Sequence, residues 1–303
     1  MSQVNVKVFF AFFILTLVSF HSASADFKLN KQVVNGVELA WAEAGDPNGP
    51  PLLMITGLIT SHKIWPQDYI DGLVEDGFRV IVYDNRDVGE SQRMDHLGNP
   101  VVWWNMLKSK VGLGVTAPYT LYDMADDAIG LLDALEIEDA HVMGASMGGM
   151  IAQIVAAKHP DRIRSLISIM SSPGADHLPK ASDESSSDIE ELLDPTPQRT
   201  KELNAVGFYP SALRRHFMAI LATGDRSNLV KTIEVKTLVI HGEDDTLVPI
   251  AHGEYTAQII KGATFVPIED MGHNLKGATI TRVLDAIEAH MLSFEQVGLS
   301  LAP

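Results

Sequence analysis

Along most of the sequence, short apolar runs alternate with segments of helical periodicity. The runs are almost wholly apolar and bounded by glycines: Leu52–Thr56, Arg79–Tyr83, His141–Gly144, Leu166–Met170, Leu238–His241 and Thr264–Ile268. Such runs are typical of parallel strands buried on both faces. The clearest helical segment is Leu121–Leu135, because Met124, Ala128 and Leu131 fall on one stripe. The order predicts an α/β fold with a mostly parallel sheet.

A tight hairpin is predicted at the start of this sheet. Asn35-Gly36 separates two short alternating apolar stretches, which is the pattern of a two-residue β-turn. The sheet should therefore be opened by an antiparallel pair of strands. Further helices are expected from their periodicity at Tyr69–Asp76, Met147–Lys158, Gly253–Ile260 and Thr279–Met291.

One stretch interrupts the alternation, because residues 171–234 contain no strand-like run. We expect a helical cap insertion at 174–234, which divides the α/β core into residues 26–173 and 235–303. Its acidic segment, Asp183–Glu191, is interpreted as a solvated, flexible loop rather than a cation site, since no metal-ligand spacing accompanies it.

Two helices of the insertion are predicted near Gln198–Val206 and Ser211–Ala222. Four apolar side chains there have two open interpretations, a lid wall or the packing core of the insertion. They are Phe208, Tyr209, Phe217 and Met218.

The first 25 residues have the pattern of a secretory signal. Lys7 precedes the apolar run Val8–Val18, and the segment ends in Ala23-Ser24-Ala25. We predict cleavage after Ala25 and export to the periplasm or the medium. A retained anchor is the alternative, although a membrane span needs about 20 apolar residues and this run is shorter.

Charge and cysteine content exclude several classes of protein. The 303 residues include 23 Lys and Arg, 39 Asp and Glu, and no Cys, for a net charge of −16. This charge argues against nucleic acid or anionic lipid as a general partner. Without cysteine there is no thiolate nucleophile, disulfide or iron–sulfur cluster.

The pattern G-x-S-x-G occurs at Gly144, Ser146 and Gly148, where an apolar run meets a helical segment. This is the pattern of a nucleophile elbow, in which strand and helix approach too closely for a Cβ at the glycines. To act as a nucleophile, a serine hydroxyl needs a base that takes its proton and an acid that orients this base. Their expected order along the chain is serine, acid, histidine, each after a strand.

Two later loops offer the acid and the base. Gly242-Glu243-Asp244-Asp245 follows one predicted strand, and Met271-Gly272-His273 follows the next. These segments, together with the elbow, resemble the α/β-hydrolase superfamily over essentially the whole mature chain. The resemblance implies that Asp245 is the acid and His273 the base, with Asp244 as the rival acid one position earlier.

The resemblance also implies an oxyanion hole made of two backbone N–H groups, those of Leu58 and Met147. Thr56 stands where this superfamily often has histidine, a change that a backbone donor tolerates. His62 lies in the same loop, beside the expected oxyanion site, and keeps a functional role open.

A subgroup is indicated by Val82–Ser91, Tyr122–Asp127 and Gly144–Gly149, which resemble bacterial esterases of the aclacinomycin methylesterase group. The charged residues of Val82–Ser91 are interpreted as structural. Specificity is expected to depend on the insertion and on the region of Trp103 and Trp104.

The resemblance predicts a serine esterase that acts through an acyl-enzyme on a small, apolar or neutral ester, with no metal or organic cofactor. Two alternatives stay open. A cofactor-free haloperoxidase or perhydrolase would use the same three residues, and a non-catalytic ligand-binding protein would use the same scaffold.

Overall fold

The computed structural model of the protein describes residues 27–301, so the predicted signal at 1–25 lies outside the described residues. Within this range the chain forms one sheet of eight strands. The strands are β1 (Asn30–Val34), β2 (Val37–Ala44), β3 (Pro51–Ile55), β4 (Arg79–Tyr83), β5 (Ala140–Ala145), β6 (Ile163–Ile169), β7 (Lys236–Gly242) and β8 (Thr264–Ile268).

The spatial order of the strands is β1-β2-β4-β3-β5-β6-β7-β8. Strand β2 runs antiparallel to β1 and β4, and the remaining pairs are parallel. Asn35 and Gly36 link β1 to β2 with φ of 49° and 75°, as a two-residue hairpin turn requires. The predicted α/β fold, with a mostly parallel sheet opened by an antiparallel hairpin, is confirmed.

The helices of the described chain flank the sheet and fill the connections between strands. They are α1 (Gln67–Glu75), α2 (Val102–Lys110), α3 (Leu121–Ala134), α4 (Met147–Lys158), α5 (Asp183–Glu191), α6 (Pro197–Ala205), α7 (Leu213–Thr223), α8 (Ser227–Val230), α9 (Ala251–Ile259) and α10 (Thr279–Leu301). None of them, within residues 27–301, has the length and apolar character needed to cross a membrane.

Both faces of the sheet are buried along its central strands, which explains the apolar runs of the sequence there. Along β3, Leu53 and Ile55 pack with α3 and α4, whereas Leu52 and Met54 pack with α1 and α10. Successive side chains of a strand point to opposite faces, so the central strands β3, β4, β5 and β6 each contribute to two cores.

The acidic segment 183–191 is the helix α5, and the prediction of a flexible loop is wrong. Ser182 caps this helix, because its Oγ accepts from the N–H of Ser185 at 3.1 Å. Asp183 and Glu184 lie in the first turn, where a negative charge stabilises a helix. Periodicity alone could not reveal α5, since it has no fully buried residue.

Helix α2 was not expected either. Its large apolar side chains include Trp103 and Trp104, which are 68% and 49% exposed and meet edge to face. A helix whose apolar residues face outward lacks the one-sided stripe that identifies an amphipathic segment.

Candidate active site

Ser146 lies at the sharp turn between β5 and α4. Its backbone has φ of 55° and ψ of −122°, a conformation that costs about 1–3 kcal/mol for a residue with a Cβ. A hydrogen bond to the neighbouring strand helps to hold this backbone conformation, because the N–H of Ser146 donates to O of Ile169, at the end of β6, at 2.9 Å.

The flanking glycines permit this turn. A Cβ on Gly144 would lie 2.1 Å from the carbonyl oxygen of Gly148, and a Cβ on Gly148 would lie 2.1 Å from that of Ile55. Both distances are far below van der Waals contact, so the spacing of the motif follows from the close approach of α4 to β5 and β3.

His273 lies between Ser146 and Asp245. Its Nε2 is 2.9 Å from Ser146 Oγ, and its Nδ1 is 2.7 Å from Asp245 Oδ2. A carboxylate only accepts, so Nδ1 carries the hydrogen, and Nε2 is left to accept the proton of the serine hydroxyl. The turn after β5 and the loops after β7 and β8 therefore bring together the three side chains that were singled out in the sequence.

Asp245 is held as an anion. Its Oδ1 accepts from the N–H groups of Leu247 at 3.0 Å and Val248 at 2.8 Å. Burial raises the pKa of this carboxyl, but hydrogen bonds from His241 and His273, the charge of His273 and the Val248 N–H together lower the pKa well below its ordinary value. Asp244, the rival acid, is exposed and lies outside this arrangement.

His241 is a contact of the site that the sequence did not reveal, since there it was only the last residue of a predicted strand. It is fully buried at the end of β7, with Nε2 3.4 Å from Asp245 Oδ2. The same nitrogen donates to Val248 O at 2.7 Å, which steadies the turn that presents Asp245. The signal in the sequence that could have indicated this contact is the position of His241, four residues before Asp245.

The two expected oxyanion donors border the serine. A Cβ built on Gly57 would lie 3.7 Å from Ser146 Oγ, which places the Gly57–Leu58 backbone beside the hydroxyl. Met147 is the first residue of α4, where N–H groups have no partner within the helix. Within residues 27–301 neither the Leu58 nor the Met147 N–H donates to another protein group.

The loop that follows β4 is fixed by buried polar contacts. Asp84 accepts from the N–H of His62 and faces His62 Nδ1, each at 2.7 Å, and accepts from Glu90 N–H at 2.8 Å. His62 is therefore tied to Asp84 rather than to the serine. Asn85 donates to Thr56 O at 3.0 Å, which joins this loop to the end of β3.

Arg215 of α7 belongs to a buried ion-pair network that the sequence did not reveal. Arg215 is 1% exposed and donates to both carboxylate oxygens of Asp87 and, at 2.8 Å, to Asp95. Burial raises the pKa of Asp87, but the hydrogen bonds from Arg215 and from Met94 N–H lower it overall. A buried arginine cannot be distinguished from a solvated one by helical periodicity, so the pattern gave no signal.

The aromatic and apolar residues of the insertion mainly pack. Met218 and Tyr209 are buried, and Phe208 packs against the small cluster that includes Tyr209 and Ile59. Phe217 is half-buried. Among the described residues, no group of three or more His, Asp or Glu side chains is arranged to hold a metal ion.

Comparison with known proteins defines the class. A family profile for the alpha/beta hydrolase fold matches residues 50–215, which is more than half of the chain. The protein belongs to this family, and the predicted superfamily is confirmed.

Several known proteins are similar to this chain over most of its length. The chain is similar to rhodomycin D methylesterase DnrP of Streptomyces peucetius, with 28% identity over 86% of this chain and 97% of the relative. A solved hydrolase from Pseudomonas aeruginosa PA01 is 25% identical with a TM-score of 0.65, covering 88% of this chain and 98% of the other. The enol-lactonase from Burkholderia xenovorans LB400 is 23% identical with a TM-score of 0.61, covering 88% and 100%, and shares the fold.

Proposed function

We propose that the protein is a serine hydrolase that cleaves carboxylic esters through an acyl-enzyme on Ser146. The observation that carries the proposal is the position of His273, 2.9 Å from the serine hydroxyl and 2.7 Å from the Asp245 carboxylate. The similarity to a methylesterase over most of both chains supports an ester as the substrate.

The first half of the reaction is acylation. Nε2 of His273 removes the proton of Ser146, and Oγ attacks the ester carbonyl carbon. The carbonyl oxygen becomes an oxyanion that accepts from the N–H groups of Leu58 and Met147. His273 then gives its proton to the departing alkoxide, and the alcohol leaves.

The second half is deacylation. Water is deprotonated by Nε2 of His273 and attacks the acyl carbon, and the oxyanion forms at the same two N–H groups. Collapse of this intermediate returns the proton to Ser146 and releases the acid. In both halves the Asp245 anion stabilises the His273 imidazolium and keeps the hydrogen of neutral His273 on Nδ1.

The proposed substrate is a small, apolar or neutral ester. The net charge of −16 disfavours an anionic one, because like charges repel on approach. Cleavage of the signal at 1–25 and export to the periplasm or the medium stay predictions.

The test is hydrolysis of p-nitrophenyl esters of increasing acyl length by the purified mature chain, the Ser146→Ala variant and a matched control. Ser109→Ala is that control, because Ser109 is an exposed serine of α2. We expect the control to match the wild type and Ser146→Ala to lose nearly all activity. Equal rates in wild type and Ser146→Ala would refute the proposal.

Two further assays separate the alternatives. Faster halide oxidation with peroxide and acetate than ester cleavage would favour the perhydrolase. If a fluorophosphonate fails to label the wild type, the protein is a ligand-binding relative and not an enzyme.

A further inference from the structure

The turn that carries Leu58 is held in a conformation that its own residues disfavour. Thr60 N donates to Gly57 O at 3.4 Å and closes a four-residue turn. Its third residue, Ile59, has φ of 54°. Positive φ at this position suits glycine, and a β-branched residue there is an outlier that persists only when surrounding groups hold it.

Those surrounding groups come from the insertion. The N–H of Ile59 donates to His216 Nδ1 at 3.2 Å, and the N–H of Tyr209 donates to Ile59 O at 2.7 Å. One residue beyond the turn, the N–H of Ser61 donates to Gly207 O at 2.9 Å. Both backbone polar groups of Ile59 are thus bound by residues between β6 and β7.

The state of the His216 ring is defined by its two partners. Nε2 lies 3.1 Å from the carbonyl oxygen of Arg86, which only accepts, so Nε2 carries the hydrogen. Nδ1 therefore presents a lone pair to the N–H of Ile59. The ring is completely buried, and burial lowers the pKa of His216 to about 4, so it is neutral near pH 7.

We propose that His216 is a positioning residue for the oxyanion hole. The hydrogen bond to Ile59 fixes the peptide plane between Leu58 and Ile59, while the Thr60 N–H fixes the carbonyl of the preceding plane, whose N–H belongs to Leu58. The Leu58 donor is thereby aimed at the space beside Ser146. The inference rests on the proposed esterase function, and it gives the insertion a part in catalysis.

Three substitutions of His216 test this. His216→Leu removes both bonds. His216→Gln supplies a carbonyl oxygen for Ile59 N–H and an amide N–H for Arg86 O, and so replaces both. His216→Asn places an oxygen near the position of Nδ1 and keeps the bond to Ile59 alone. The measurements are kcat and KM for a p-nitrophenyl ester, and the inhibition constant of a trifluoromethyl ketone, whose adduct with Ser146 carries an oxyanion.

We expect His216→Leu to lower kcat about 10- to 100-fold, approaching the loss caused by deleting an oxyanion donor, with KM within about twofold. The inhibition constant of the ketone should rise by the same factor. His216→Gln should recover kcat to within about fivefold of wild type, because hydrogen-bond geometry is only partly reproduced. If His216→Leu does not fold, His216→Asn decides, with kcat expected to stay near wild type.

A different pattern overturns the inference. If His216→Leu raises KM at constant kcat, or if Leu and Gln lower kcat equally, His216 serves packing only. A folded His216→Asn with the ketone inhibition lost would also contradict it. An inactive, unlabelled wild type would defeat the proposed function itself, whereas an active wild type with unchanged variants defeats the His216 role alone.

Discussion

Replacing Asp245 by Asn should disable the base while leaving the fold intact. Asp245 Oδ1 accepts from the N–H groups of Leu247 and Val248, so the amide oxygen of Asn will occupy that position. The amide nitrogen then replaces Oδ2 and points one of its hydrogens at His273 Nδ1. Nδ1 must become the acceptor, which moves the ring hydrogen to Nε2. The group that faces Ser146 would then donate and could not remove its proton.

Two losses determine how far the rate of Asp245→Asn should fall. An imidazolium and a carboxylate about 4 Å apart interact by about 4 kcal/mol at an effective dielectric constant of 20, or about 10³-fold in rate. The unfavourable tautomer adds to this, and the corresponding substitution in a serine protease costs about 10⁴-fold. We therefore expect kcat to fall about 10³- to 10⁴-fold, with KM little changed.

Asp244→Asn is the matched control, since it makes the same chemical change one residue away on an exposed side chain. Steady-state hydrolysis of p-nitrophenyl acetate at pH 7.5 measures both variants, and circular dichroism checks that each is folded. A loss below about tenfold in Asp245→Asn, or a larger loss in Asp244→Asn, would refute the assignment of the acid, because either outcome is far from the electrostatic expectation.

Three further predictions concern stability, each measured by urea unfolding. His216 has a folded pKa of about 4 against about 6.5 when unfolded, so it should contribute about 3 kcal/mol to the loss of stability as the pH drops from about 6.5 to 4. His216→Gln should lose about 3 kcal/mol less than the wild type over this range, because His290, whose pKa burial also lowers to about 4, contributes in both; equal losses would contradict this. Arg215→Met should lower the free energy of unfolding by about 3–5 kcal/mol, because it leaves Asp87 buried without its main partner. Arg214→Met loses a half-buried bond to Leu193 O and should lower the free energy of unfolding by less than about 1.5 kcal/mol; equal losses would contradict this. Gly144→Ala should lower the free energy of unfolding by about 3 kcal/mol or more, because the new Cβ clashes with Gly148 O. Gly114→Ala has open space around it and should leave the free energy of unfolding unchanged. A neutral Gly144→Ala would contradict the close packing of strand and helix at the elbow.

Much of the architecture could be predicted from the sequence because parallel strands buried on two faces leave a distinctive pattern. Runs such as Leu52–Ile55 are apolar at every position, and glycines at 144 and 148 mark a backbone contact that tolerates no Cβ. The loops that carry Asp245 and His273 follow two such strands, so parallel geometry alone brings them to one edge of the sheet.

The missed parts have a common physical cause. Helix α5 is stabilised by its Ser182 cap and acidic first turn, with little burial, and α2 exposes its tryptophans. The roles of Arg215, His216 and His241 depend on which residues far along the chain they meet. His216 bonds Ile59 across 157 positions, and no local pattern encodes that contact.

The proposed mechanism requires that Ser146 forms a covalent acyl-enzyme. Its most direct test is mass spectrometry of the wild type after an acid quench during turnover of a slowly deacylating p-nitrophenyl ester, followed by peptide mapping. We expect one acyl group on the peptide containing Ser146, and none in Ser146→Ala. An acyl group on another residue, or ester turnover with no adduct and full activity of Ser146→Ala, would contradict it.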